Sequence, residues 1–333
     1  MKNLLVTASE ASALVQSGAV AVIAGAEELL SALPRGKWIG GTTAYFMTER
    51  GGTVTTSHLF CSVIEQAATS RIAALEPGAL PQVTAGRYQN GFTYLLLPAF
   101  SEAHQRYAIE GPAFPHLFDQ PVMGWVTGVH LSDLGKRTPK VFDGWAGLAY
   151  ENAGIALHVE LPATVVADLD IINRFSQGDG PAIVFPDTGF TAGPCTIDGR
   201  SANFAKYLVE KNIDTRLPLV ANYAGAMINV SMQAVDAQRG DVRFYAPVVA
   251  GETYHLAHPV TDYAGSFDAH DDVHHHDRQT LACNCILNFL HADLDGKTTG
   301  GFVGPVTFGE IAYILLNQTL VLLRCHGTEP GHQ

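Results

Sequence analysis

Charged residues, and basic ones above all, are scarce in this chain of 333 residues. Only 16 % of the residues are charged, and 20 lysines and arginines stand against 32 acidic residues. A nucleic-acid-binding face or a polybasic membrane patch needs basic residues gathered together, whereas here they are scattered singly. The formal charge of −12 therefore argues against nucleic acid and anionic lipid as partners.

Long apolar runs are also missing. None reaches the roughly 18 residues of a membrane-spanning segment. Near the N-terminus, Ser, Glu and Gln interrupt the apolar residues, so no secretory signal is recognised. Five cysteines, an odd number in a long chain, do not suit a disulfide framework. We therefore expect a reduced, cytoplasmic protein that does not span a membrane.

Apolar residues are plentiful, at 47 % of the chain, and predict a large buried core. Helix-like and strand-like segments alternate through the first third, and strands become more frequent later. This alternation is typical of an α/β fold. Within it, the stretch VVADLDIINRFSQGDG (residues 165–180) is predicted to be helical.

A Gly-Lys-x-x-Gly-Gly pattern occurs twice, beginning at Gly36 and at Gly296, each time beside an apolar strand that carries cysteine. The repetition favours two similar halves with mixed sheets flanked by helices around a shared cleft. The predicted halves are residues 1–175 and 176–326, followed by a tail of residues 327–333.

The C-terminal third carries a more specific pattern. TLACNCILNFL, GKTTGGFVGPVTFGEIA and LLNQTLVLL, in that order, resemble the C-terminal half of FIST domains. GKWIGGTTA is a looser match to the N-terminal half of that family. The sequence departs from the family at Asn288, where FIST domains often carry an arginine shortly after the cysteine.

The resemblance implies a sensory domain that binds a small molecule. The sequence shows no output domain, so we expect a separate signalling partner, such as a histidine kinase or a cyclic-nucleotide-type signalling enzyme. Glycines let a backbone approach a ligand closely, and a carboxylate at a loop mouth can hold an ammonium group. The predicted ligand-binding residues are Gly40, Gly41, Cys283, Cys285, Gly300, Gly301, Phe302, Glu310 and Asn317, with Trp38 or Tyr45 as further lining.

A haem- or metal-binding sensor is the first alternative. Cys283 and Cys285 would share one strand face and can bind a soft metal, although packing in the core is the competing interpretation. In DAHDDVHHHD (residues 268–277), His270 and His274 are spaced i, i+4 and would share a helix face. They are therefore the predicted ligands of haem or a transition metal, against the competing interpretation of a solvated helix.

A small-molecule enzyme is the second alternative, with Glu310 acting beside a histidine or Cys283 as acid, base or nucleophile. The chain contains no G-x-S-x-G, H-E-x-x-H or Rossmann glycine motif. DGKTTGG fails as a phosphate-binding loop, because His291 stands where that motif requires its first glycine. Catalytic residues are therefore left unassigned.

Overall fold

The computed structural model describes residues 1–223, 225–266 and 280–327. The fold is mixed α/β with several mixed sheets, which confirms the predicted class. Within those ranges, no helix is both long and apolar enough to cross a membrane. The helices, numbered along the chain, are α1 (Ala8–Gln16), α2 (Glu27–Ser31), α3 (Glu102–Glu110), α4 (Phe204–Glu210) and α5 (Ile286–His291). Short 3-10 helices cover Pro77–Thr84, Gly111–Ala113, Leu117–Asp119 and Leu131–Asp133.

Sheet 1 is built from the first 150 residues. Its strands, in spatial order, are β1 (Lys2–Val6), β6 (Leu59–Val63), β2 (Ala21–Gly25), β3 (Trp38–Thr42), β10 (Val141–Asp143) and β11 (Leu148–Tyr150). Strands β2 and β3 run parallel. Helix α1 begins at a capping box formed by Thr7 and Glu10. Its buried Ala11 and Val15 pack with Leu30 of α2 against the outer face of the sheet.

Sheet 2 lies against the inner face of sheet 1. In spatial order it contains β26 (Ile314–Leu316), β25 (Glu310–Ala312), β9 (Val122–Thr127), β8 (Gly91–Pro98), β12 (Gly154–Glu160) and β7 (Thr69–Leu75). Alternate residues of β8 point to opposite faces. Phe92, Tyr94 and Leu96 enter the central core, whereas Leu95 and Leu97 pack beneath α3. The result is a layered arrangement of helix, sheet, sheet and helix.

Sheet 3 also joins the central core. In spatial order it contains β13 (Val165–Ile172), β27 (Leu320–Gly327), β23 (Thr280–Cys285), β24 (Gly304–Thr307), β4 (Tyr45–Thr48) and β5 (Gly51–Val54). Sheets 2 and 3 therefore each combine strands from both sides of residue 175. The boundary between two halves that the sequence predicted at residue 175 stays a prediction. Strands that precede and follow this residue lie side by side within the same sheets.

Two further sheets enclose a second core. Sheet 4 contains β17 (Arg200–Asn203), β16 (Pro194–Ile197), β14 (Ile183–Val184), β22 (Thr253–Leu256), β18 (Leu219–Tyr223) and β19 (Ala226–Val230). Sheet 5 contains β15 (Gly189–Ala192), β21 (Asp241–Val248) and β20 (Met232–Asp236). Phe185, Phe204 and Phe244 make edge-to-face or stacked contacts between these sheets and α4. This aromatic packing holds the second core together.

The helix predicted over residues 165–180 is wrong, because its first half is strand β13. Val165, Ala167 and Leu169 alternate along the strand and pack against the central core. The intervening aspartates face partners on β27, as Asp170 does with Arg324 at 3.0 Å. Pairing with β27 along the whole strand therefore outweighs the weak helical spacing.

The two Gly-Lys-x-x-Gly-Gly segments adopt different structures. The copy that starts at Gly36 enters β3, whose residues are buried inside sheet 1. The copy that starts at Gly296 forms a loop beside β5, where Gly52 donates its N–H to the Lys297 carbonyl at 2.9 Å. The two copies of the repeated pattern are therefore not structurally equivalent, since a central strand and a surface loop satisfy their backbone groups differently.

Candidate functional site

Glu310 lies at the centre of a closed polar cluster that also contains Cys285, Thr307 and Thr319, here called the Glu310 cluster. The carboxyl has no solvent exposure. Thr319 donates to Oε2 from its hydroxyl at 2.9 Å and from its backbone N–H at 3.3 Å. The Thr307 hydroxyl lies 3.1 Å from Oε1, and the Cys285 thiol lies against the same carboxyl. Protein groups therefore satisfy both oxygens.

Burial raises the pKa of Glu310 to about 8, although its hydrogen bonds act in the opposite direction. The carboxyl is therefore protonated in most molecules at neutral pH. Oε1 can then donate to the Thr307 hydroxyl, which donates in turn to the carbonyl of Gly309 at 3.2 Å. Burial also raises the pKa of Cys283 and of Cys285 well above the usual range of a thiol. The cluster thus holds neutral groups that cross-link strands, and its thiols are not activated as nucleophiles.

Asn317 belongs to a second buried network. Its side-chain oxygen accepts the backbone N–H of Ser231 at 2.9 Å, and its Nδ2 donates to the Asn229 carbonyl at 3.1 Å. The Asn229 side chain donates back to the Asn317 carbonyl at 3.3 Å. These bonds tie the end of β26 to β19 and to Ser231, which lies between β19 and β20. Asn317 therefore finds its hydrogen-bond partners within the protein.

The predicted glycines lie in packed or looped backbone. Gly40 and Gly41 are buried in β3, and a Cβ on Gly41 would come within 2.5 Å of the Trp125 ring. Gly300 and Gly301 lie in the loop before β24, and Phe302 packs there against the core around Leu320. Thr43, just after β3, donates to the Val306 carbonyl at 2.7 Å. That bond brings the end of β3 beside the strand that carries Thr307.

His270 and His274 lie outside the described residues, so the predicted haem or metal site stays a prediction. Within the described part of the chain, no group of three His, Cys, Asp or Glu side chains is placed to hold a metal ion. Trp38 donates its indole N–H to the Pro34 carbonyl at 2.9 Å, and the Tyr45 ring stacks on His130. Trp38 and Tyr45, which were predicted as further pocket lining, therefore both contact other residues of the protein itself.

A pocket of about 150 Å³ lies between sheet 5 and the start of α3. Five aromatic residues contribute to its wall, and we call it the aromatic pocket; they are Phe100, Phe190, Phe244, Tyr245 and Phe308. Phe308 precedes Glu310 by two residues and belongs to the same apolar cluster as Cys285, with Tyr245 packed against it. The Glu310 cluster is therefore close to this wall.

His104, in the first turn of α3, is the buried polar group of the aromatic pocket. Its side chain lines the pocket, and the residue is only 6 % exposed. Ser101 caps the helix by accepting the backbone N–H of His104 at 3.1 Å. The imidazole Nδ1 accepts the N–H of Phe100 at 3.4 Å, and burial lowers the pKa of His104 to about 4. At neutral pH the ring is therefore uncharged, with its hydrogen on Nε2.

The Nε2–H of His104 is buried and has no hydrogen-bond partner among the described residues. An unsatisfied buried donor costs about 1–3 kcal/mol, so such a group in a native structure calls for a partner. The ring stands edge-to-face with Phe190, with centroids 5.6 Å apart. His104 therefore places a polar group without a partner among the described residues in the wall of the aromatic pocket.

The polar residues of the pocket wall are neutral or cationic. They are Gln105, Thr191, Gln233 and Arg243 together with His104, and none of the described lining residues is acidic. Arg243 is exposed, and its guanidinium makes no hydrogen bond or ion pair with any described residue. Sequence reasoning missed this pocket, because its residues come from four distant segments and carry no common motif.

These features describe a mixed α/β protein with a small aromatic pocket at the contact between two of its sheet systems. The chain belongs to a family of unknown function, DUF6976, whose model matches residues 6–326. No curated protein matches the chain.

Proposed function

We propose that this protein binds a small organic molecule in the aromatic pocket. The observation that carries the proposal is His104, a buried neutral donor without a partner among the described residues, in the wall of an apolar pocket of about 150 Å³. Cavities of about that size bind benzene in other proteins. Apolar walls with a few placed polar groups are typical of small-molecule sites.

The position of the pocket supports a sensory role. One wall comes from α3 and the other from β15, β20 and β21 of sheet 5, so a bound molecule would contact both parts of the fold. A ligand that binds one arrangement of these parts more tightly shifts the population towards it. The resemblance to FIST domains points in the same direction. We propose that a separate cytoplasmic signalling protein, such as a histidine kinase, reads the bound state.

Binding can be tested by ligand-observed NMR with a set of small aromatic compounds and the purified protein. Gln105 is exposed at the pocket mouth, so Gln105→Trp should block the pocket without altering the core. Gln82, exposed on the 3-10 helix Pro77–Thr84 and outside the pocket, provides the matched control Gln82→Trp.

We expect at least one compound to bind the wild-type protein and Gln82→Trp, and to lose binding to Gln105→Trp by about tenfold or more. Equal binding to both variants would place the ligand elsewhere and contradict the proposal. If no compound binds the wild-type protein, the proposal also fails.

A further inference from the structure

The chemistry of the pocket wall defines the class of ligand. We infer that the aromatic pocket takes an aromatic carboxylate of about the size of benzoate, with the carboxylate bound by Arg243 and the ring between the aromatic side chains. This inference rests on the proposed function and adds the charge and shape of the ligand to it.

Arg243 lines the aromatic pocket and, like the exposed Arg200, makes no ion pair with a described residue. Arg106, Arg137 and Arg324 each contact a carboxylate of the protein itself, whereas Arg243 has no such partner in the described ranges. The chain carries a formal charge of −12, and acidic side chains are therefore abundant elsewhere on it. An arginine at a pocket wall that has no acidic partner in the described ranges can bind an anion from solution. A guanidinium binds a carboxylate through two parallel hydrogen bonds.

Irregular strand pairing shapes the pocket at Arg243. In β21 this residue pairs with Thr191 on one side and with Ala234 on the other. The register shifts next to both positions, in β15 across Phe190 and in β20 across Gln233. Both of these residues line the pocket beside Arg243. Bulges redirect side chains and are frequent beside binding sites.

His104 adds a second donor, and its neutrality matters. Its Nε2–H can donate to a carboxylate oxygen, and the uncharged ring avoids the cost of burying another cation. The aromatic walls favour a ring as the body of the ligand: Phe100 and Phe308 already meet edge-to-face, with centroids 6.4 Å apart. Aromatic rings gain from such geometry in addition to the area that they bury.

Benzoate and its uncharged isostere benzamide test the inference, with binding followed by ligand-observed NMR. Arg243→Gln removes the cation, and Arg200→Gln is the matched control, because Arg200 is exposed on β17 outside the pocket and makes no ion pair with a described residue. The wild-type protein should bind benzoate about tenfold or more tightly than benzamide. Arg243→Gln should remove that difference, and Arg200→Gln should keep it.

A salt titration of the wild-type protein provides a test that needs no variant. Raising the salt concentration should weaken benzoate binding and leave benzamide binding nearly constant. If both compounds bind equally and both lose binding to Gln105→Trp, the inference is overturned while the proposed function stands. Benzoate binding that survives in Gln105→Trp or in Arg243→Gln also overturns it. If no aromatic compound binds at all, the inference and the proposed function fail together.

Discussion

At the scale of single residues, the most unusual group of this protein is the carboxyl of Glu310. It has no solvent exposure, its oxygens contact the hydroxyls of Thr307 and Thr319, and burial raises its pKa to about 8. The unfolded chain exposes the same carboxyl, with an ordinary pKa of 4.5. Between these two pH values the folded protein holds a proton that the unfolded chain releases, so stability falls as pH rises through this window.

Glu310→Gln should remove this pH dependence, because an amide keeps the shape of the neutral acid and cannot ionise. The free energy of unfolding of the wild-type protein should fall relative to that of the variant from pH 4.5 to about pH 8, by about 1.4 kcal/mol per pH unit at most. Urea unfolding at a series of pH values measures the difference.

Glu49→Gln is the matched control for that series, since Glu49 is exposed and forms no ion pair with any residue that the structure describes. Its unfolding free energy should follow that of the wild-type protein at every pH. A constant difference between wild type and Glu310→Gln across the window would show that the carboxyl is not held neutral in the fold.

At the scale of elements, buried amides connect sheet 2 to sheet 4. Asn317 bonds to Ser231 and Asn229, and all three residues are at most 3 % exposed. The Ser231 hydroxyl donates to the Asn317 side chain as well. These contacts join the end of β26 to the strands on either side of Ser231, and apolar side chains could not replace them without leaving backbone groups unpaired.

Asn317→Ala should therefore destabilise the protein by about 2–4 kcal/mol, since it leaves the N–H of Ser231 and the carbonyl of Asn229 buried without this partner. Combination with Ser231→Ala in a double-mutant cycle, measured by urea unfolding, should give a coupling of about 1 kcal/mol. The cycle reports on the contact between the Ser231 hydroxyl and the Asn317 side chain. Strict additivity of the two changes would show that this contact contributes nothing to stability.

Helices and strands could be predicted from the sequence where the local pattern of apolar and capping residues agrees with the packing in the fold. The alternation of helix and strand predicted for the first third is seen in α1 and β2, because a capping box starts the helix and an apolar run forms the buried strand. The prediction failed at residues 165–180, which were predicted to be helical and whose first half, with Asp168 and Asp170, is strand β13. Their partners, His326 and Arg324, lie on a strand that is remote in sequence.

At the scale of the whole molecule, the chain is interleaved. Sheet 2 takes β25 and β26 from the C-terminal region, and sheet 3 takes β23, β24 and β27 from there, while their other strands precede residue 173. Leu281, Val321 and Leu323 pack in the same core as Phe46 and Trp125. The N-terminal region therefore completes its core with strands from the end of the chain.

A fragment of residues 1–175 should not reach a native fold, because β4, β9 and β13 would each lose a strand partner and their apolar faces would be exposed. Proton–nitrogen correlation NMR of the fragment, beside the full-length chain, should show poorly dispersed amide signals. A well-dispersed spectrum with the unfolding cooperativity of the intact protein would instead support the two predicted halves as independent units.

Sequence patterns alone gave the correct fold class, and they singled out Glu310 and Asn317 as candidate site residues. Composition and local periodicity carry that information, because burial and short-range spacing depend on residue type. The tertiary structure was needed to show that Thr307 and Thr319 enclose Glu310, and that His104 and Arg243 line one pocket. Those outcomes depend on strand pairing and bulges between segments far apart in the chain, which local patterns do not encode.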